Sequence, residues 1–183
     1  METKSVELDE RKLAELILYI SQRYADDSTY GQVKLNKALF FTDFAAFGIF
    51  GQTITGTQYQ HLPEGLAVLR MLPVQKALRE DGSLVIQEVN SYGYTLKKPV
   101  NLRSPNLSLF SGQEIALVDE WIERLRPMNA RQVSDYSHKT AAWEFTKQGE
   151  VIDPKLVYIA WGKPNVADIR RGQEIAAAYG LLA

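Results

Sequence analysis

From Glu7 to Tyr24 the apolar residues Leu13, Leu16, Ile17, Ile20 and Tyr24 return at steps of three and four. That spacing predicts an amphipathic helix with one apolar stripe. Glu7, Asp9 and Glu10 fall in its first turn, where the helix dipole favours negative charge. Asp26, Asp27 and Ser28, with Gly31 behind them, break the pattern. The next stretch, KLNKALFFTDFAAFGIFG over 34–51, is of another kind. At about 100° per residue, Phe40, Phe44 and Phe47 share one side, with Leu35, Leu39 and Phe50 nearby. Phe41 and Ile49 carry apolar surface almost all round, the mark of a buried central helix. Yet Asn36 and Asp43 fall on the side of Phe40 and Phe47, and Lys37 falls close to Phe44. Gly51 suits the residue after the helix end.

Beyond it, 52–65 reads as an extended or turn-rich connection punctuated by Gly and Pro. A helix is expected from about Leu66 or Pro73 to Glu80, closed by Asp81 and Gly82. The β-branched and aromatic residues of 84–89 and 92–96 flank a short turn at Asn90 and Ser91, which predicts a hairpin. Residues 99–110 read as a Pro-punctuated loop. Ser111 can cap a helix to about Leu125, with Ile115, Val118, Trp121 (or Ile122) and Leu125 facing inward. Pro127 stops it, and Asn129 with Gln132 resembles a capping box opening a short helix through Ser137. A loop with Trp143, Pro154 and Trp161 leads to a last helix, Asp168–Tyr179, ended by Gly180. The expected fold is mainly α with a small β-hairpin or sheet (α+β). It is expected to be one compact domain, 1–183, around the buried central helix.

Composition narrows the chemistry. Of 183 residues, 45% are hydrophobic and 23% charged, ordinary for a globular domain long enough to bury a core. There is no cysteine, so disulfides, iron–sulfur clusters and thiolate zinc sites are out. The two histidines leave little for a metal site, and no cofactor is expected. The formal net charge of −1 carries no basic stripe, which argues against nucleic acid as partner. The charged start, METKSVELDERKLAE, is unlike a signal peptide, and no run reaches the roughly 20 apolar residues of a membrane span. The expected compartment is the cytoplasm, with no membrane partner.

No phosphate-loop motif occurs. Ser134, Ser137 and His138 could be imagined as part of a hydrolytic triad, but sequence neighbours on a helix seldom face one another. The order helix then hairpin over 66–96 also describes a winged helix, a DNA-binding alternative. Its Arg70, Lys76 and Arg79 are offset by Glu80 and Asp81, a thin phosphate footprint. Large rings in irregular segments either anchor interfaces or lid a core. Tyr59, His61, Tyr92, Tyr94 and Trp143 are therefore the candidate partner-contact residues. Lys34, Asn36, Lys37, Asp43, Ser137 and His138 form a second, polar set. Its expected role is architectural: the helix polar groups tie 34–51 to surrounding backbone and to 52–65, and His138 ties its helix to the Trp143 loop by a hydrogen bond.

Several of these stretches resemble one family, the Panacea antitoxin domain or SocA-like antitoxin family. LysLeuAsnLysAlaLeuPhePhe, 34–41, is similar to its K-L-x-K-L-L-Y-Y/F opening of the central helix. PheGlyIlePheGlyGlnThrIleThrGly, 47–56, resembles its Y-G-x-x-I-T-G turn, and 57–63 its following stretch ending near a Pro. GlnValSerAspTyrSerHis with Trp143 resembles its L-S-x-x-S-H-x-x-x-x-W signature. Where relatives carry Y-G-P-V, this chain has ProGluGlyLeuAlaVal at 63–68. The resemblance covers about Lys12 to the C-terminus. It implies an α-rich, non-enzymatic antitoxin that binds and neutralises an adjacently encoded toxin. The SocA branch also implies a cellular protease as a further partner, to which the toxin is handed.

Overall fold

The structure, a computed structural model, describes residues 7–91, 93–159 and 170. Its elements are helices α1 (Glu10–Arg23), α2 (Gln32–Phe50), α3 (Met71–Glu80), α4 (Gly112–Leu125), α5 (Ala130–Ser137) and α6 (Ala141–Glu144). Strands β1 (Tyr59–Leu62) and β2 (Gly65–Val68) precede α3, and β3 (Leu84–Ser91) and β4 (Tyr94–Asn101) follow it. The fold is mainly α with two small antiparallel sheets. Among the described residues no helix is long and apolar enough to cross a membrane. Apart from Arg170, the helix expected over Asp168–Tyr179 lies outside the described residues, as do Trp161 and Tyr92.

Local chemistry sets the helix limits. The Asp9 carboxylate accepts from the Arg11 and Lys12 amides at 3.0 and 2.9 Å, so α1 starts at Glu10 rather than Glu7. Both α4 and α5 open on full capping boxes, Ser111 with Glu114 and Asn129 with Gln132. The α2 helix ends on Gly51 at φ 75°, left-handed backbone that glycine adopts without penalty.

The core forms around α2. It packs against α1, α4, α5, β2, β4 and the 3₁₀ turn Pro154–Tyr158. Leu16, Ile17 and Ile20 of α1 and Val118, Ile122 and Leu125 of α4 are fully buried against it. Phe41 stacks on Trp121 at 4.7 Å between ring centroids, and Phe40 lies 4.3 Å from Phe44.

Three segments depart from the sequence pattern. The stretch expected as a connection up to Gly65 carries a hairpin, β1–β2, pairing Tyr59 with Val68 and His61 with Leu66. It is stabilised from both sides. Residues 149–152 bond one edge, through Ile152 N to Tyr59 O (2.9 Å) and His61 N to Glu150 O (3.0 Å). The other edge meets α2. Secondly, β4 runs through Pro99 to Asn101, where a loop was expected. The Leu102 amide donates to Ser83 O, which sets the ladder's phase and leaves Pro99 and Ile86 as a non-hydrogen-bonded pair. The missing N–H of Pro99 therefore faces out of the hairpin and takes nothing from the ladder. Thirdly, Thr140 caps the single-turn helix α6, where a loop was expected.

Candidate functional site

The polar residues of α2 are each placed by a different neighbour. In the first turn, the Lys34 ammonium donates to Asp27 Oδ2 (2.6 Å), Thr29 Oγ1 (3.1 Å), Arg126 O (2.9 Å) and Met128 O (2.7 Å). It thereby joins α2 to the turn before it and to the end of α4. Burial pulls the Lys34 pKa down against the pull of Asp27. Burial alone would raise Asp27, but bonds from Lys34 and Thr29 hold it below its usual value.

One turn on, Asn36 and Lys37 act as a substitute strand. Asn36 Oδ1 accepts from Val68 N at 3.0 Å, and Lys37 Nζ donates to Leu66 O at 2.9 Å and Glu64 O at 3.3 Å. The outer edge of β2 is satisfied by side chains of a helix. Lys37 is 2% exposed, and among the described residues no carboxylate lies within ion-pair reach. Burial drives its pKa down to about 8, and the charge of Glu64 opposes this weakly. Between pH 8 and 10.5 the unfolded chain then binds more protons than the folded one, so stability rises with pH. Relative to Lys37→Met, the native protein should gain up to about 3 kcal/mol across that window. Urea titrations at several pH values would read it; a constant difference would mean the ammonium is hydrated after all.

Two turns further, Asp43 accepts from Ile54 N (2.8 Å), Thr55 N (3.1 Å), Thr55 Oγ1 (2.6 Å) and Tyr59 Oη (2.7 Å). Burial raises its pKa, and these four donors oppose the rise.

Near Lys37 the two histidines meet. His61 and His138 stack on Trp143 with centroids 3.8 and 3.7 Å away, so the indole lies between two imidazoles. His61 Nδ1 is bonded to Thr146 Oγ1 at 2.9 Å. His138 Nε2 is enclosed with no hydrogen-bond partner among the described residues. Burial, and then the Lys37 charge, lower the His138 pKa. His138 thus meets Trp143 by stacking and not by the expected hydrogen bond from Nε2. Gly65 sits above Lys37 at φ 106°, and a Cβ there would collide with the Lys37 ammonium and press on Ser137.

The two serines imagined in a triad bond elsewhere. Ser137 Oγ donates to Ser134 O (2.8 Å) and Ser134 Oγ to Glu64 O (3.2 Å), so neither hydroxyl is held by His138. Among the described residues no three His, Asp or Glu side chains gather as a metal would require. Of the winged-helix cations two are engaged, while Arg79 makes no ion pair among the described residues. Arg70 pairs with Glu10 and Lys76 with Glu80, and Lys98 donates to Ala25 O and Asp27 O.

The candidate contact residues divide. Tyr59 is a correction: it is 1% exposed, its ring packs edge-on to Phe40, and its hydroxyl binds Asp43. His61 is likewise buried, and Trp143 is half-buried between the imidazoles. Tyr94, 79% exposed, is on the surface, while Tyr92 lies outside the described residues. Exposed apolar surface lies elsewhere, at Leu62, Leu69 and Leu72, which line a groove of about 660 Å3 between β1–β2, α3 and β3–β4. Sequence reading overlooked it, because single leucines beside Pro63 and Pro73 give no periodic signal.

Comparison with known proteins decides the family. The model of the SocA-like antitoxins, Panacea domain, matches residues 35–144, more than half of the chain. The chain belongs to the SocA-like Panacea antitoxin family. No curated protein and no solved structure matches it. In this Panacea domain the matched span runs from the first turn of α2 to the end of α6. It holds Asn36, Lys37, Asp43, Ser137, His138 and Trp143, and Lys34 stands just before it. Three of the resembling motifs thus meet in space: the α2 lysine reaches the β1–β2 turn, on which α5 and the Trp143 stack close.

Proposed function

We propose that this Panacea domain is the antitoxin of a toxin–antitoxin pair and neutralises its toxin by direct binding in the cytoplasm. The family match over residues 35–144 carries the reading. The geometry is in keeping with it. The side chains that could have done chemistry are committed to architecture: Asp43 and Lys37 hold backbone, His61 and His138 clasp Trp143, and both serines bond carbonyls. What is left for function is surface. A direct complex would bury on the order of 1,600 Å2 in total.

The test is growth. Expression of the open reading frame adjoining this gene should arrest the cells, and co-expression of this chain should restore them, with a stoichiometric complex recovered on purification. A harmless neighbour, or arrest that persists with both proteins made, removes the reading. Repeating the rescue in cells lacking ATP-dependent proteases separates plain neutralisation from hand-over to a protease. Rescue that survives assigns the effect to binding alone.

A further inference from the structure

The β3–β4 hairpin has two unlike edges. On β4 the outward position opposite Ile86 is Pro99, which has no N–H to offer, and Gly31 packs closely against Leu96 and Lys97 O. The β3 edge has neither protection. With Val85, Gln87 and Val89 bonded to β4, the backbone groups of Ile86, Glu88 and Asn90 point outward. None has a hydrogen-bond partner among the described residues, and 87–90 are exposed. Such an edge is a template for another strand.

The same strand borders the leucine groove. Ile86 and Glu88 line it from the hairpin, and Leu62, Leu69, Leu72 and Arg79 line the other sides. Leu72 is 80% exposed, unusual for a leucine on an otherwise well-packed helix. Arg79 makes no ion pair among the described residues. Unpaired backbone, a groove with exposed leucines beside it and a cation without an ion pair together describe one kind of ligand. We infer that β3 and the adjoining groove take up an extended segment of a partner protein, adding a third strand to the hairpin, with apolar side chains in the groove and an acidic residue toward Arg79. The partner's identity as the toxin rests on the antitoxin reading; the edge and the groove do not.

Proline at position 88 removes an outward N–H without touching the ladder, whereas Glu88→Ala removes the carboxylate and keeps the N–H. The experiment compares native protein, Glu88→Ala, Glu88→Pro and Leu72→Glu for growth rescue, for affinity toward the purified product of the adjoining gene, and for Tm. The expected result is native affinity for Glu88→Ala, and at least a tenfold loss for Glu88→Pro and Leu72→Glu at unchanged Tm. If Glu88→Pro lowers Tm, Leu72→Glu decides, since a side chain so exposed takes little part in folding. Rescue and binding undiminished in both variants overturn the inference and leave the antitoxin reading standing. Failure of the native chain to rescue or to bind overturns both. A native dimer that Glu88→Pro turns into monomer, still binding the toxin, shows that a second copy occupies the edge and overturns the inference as well.

Discussion

Asp43→Ala should destabilise the protein by about 3–5 kcal/mol, lowering Tm by on the order of 10 °C. Four donors lose their acceptor at once: two backbone amides and the hydroxyls of Thr55 and Tyr59, both buried. Each unsatisfied buried donor costs about 1–3 kcal/mol before relaxation, and alanine leaves a cavity beside them. Asp43→Asn separates hydrogen bonding from charge. Its carbonyl oxygen still accepts from the Ile54 and Thr55 amides, and the two hydroxyls can rotate to accept from its nitrogen. The asparagine variant should therefore lose no more than about half as much as alanine. Equal losses in the two, read by thermal melts followed by circular dichroism, would show that ionised Asp43 matters for its charge.

Lys34→Met should cost a similar amount, about 3–5 kcal/mol, by a different route. Methionine fills the volume of the stem, so packing is nearly kept. What goes is a cation that holds together Asp27, Thr29 and the carbonyls of Arg126 and Met128. The two carbonyls lie at the end of α4, where the helix dipole favours positive charge, and the buried Asp27 carboxylate is left without its partner. Replacing that carboxylate as well, in Lys34→Met with Asp27→Asn, should recover on the order of 1–3 kcal/mol relative to the sum of the single changes. Strict additivity in urea denaturation would rule out the ion pair as the source.

Much of this frame is legible in the chain. The α2 stretch shows itself as buried because apolar residues surround it, and polar residues inside such a stretch have to find partners. The two capping boxes and the β3–β4 hairpin are local signals and stand out for that reason. The β1–β2 hairpin is not local. Its residues, TyrGlnHisLeu and GlyLeuAlaVal, alternate poorly and have weak strand preference; they pair because 149–152 and α2 supply their edges. Tyr59 reads as a surface ring for the same reason, since what draws it inward, Asp43 with Phe40 and Phe44, lies on the helix before it. Pro99 reads as a breaker because the chain does not announce which way an N–H will face. The leucine groove is assembled from both hairpins, α3 and the start of α2, and no window of sequence contains it.

The way α2 is enclosed bears on how long the molecule lasts in a cell. From Lys34 to Phe47 α2 is almost wholly enclosed, and most of the described elements pack against it. Opening one of these elements exposes the helix on which the others rest, so the frame around α2 should unfold in one concerted step, with tryptophan fluorescence and backbone dichroism changing together. Proteases that need a loosened segment within this frame would find it only when the frame as a whole has opened, and its cleavage is governed by that one equilibrium.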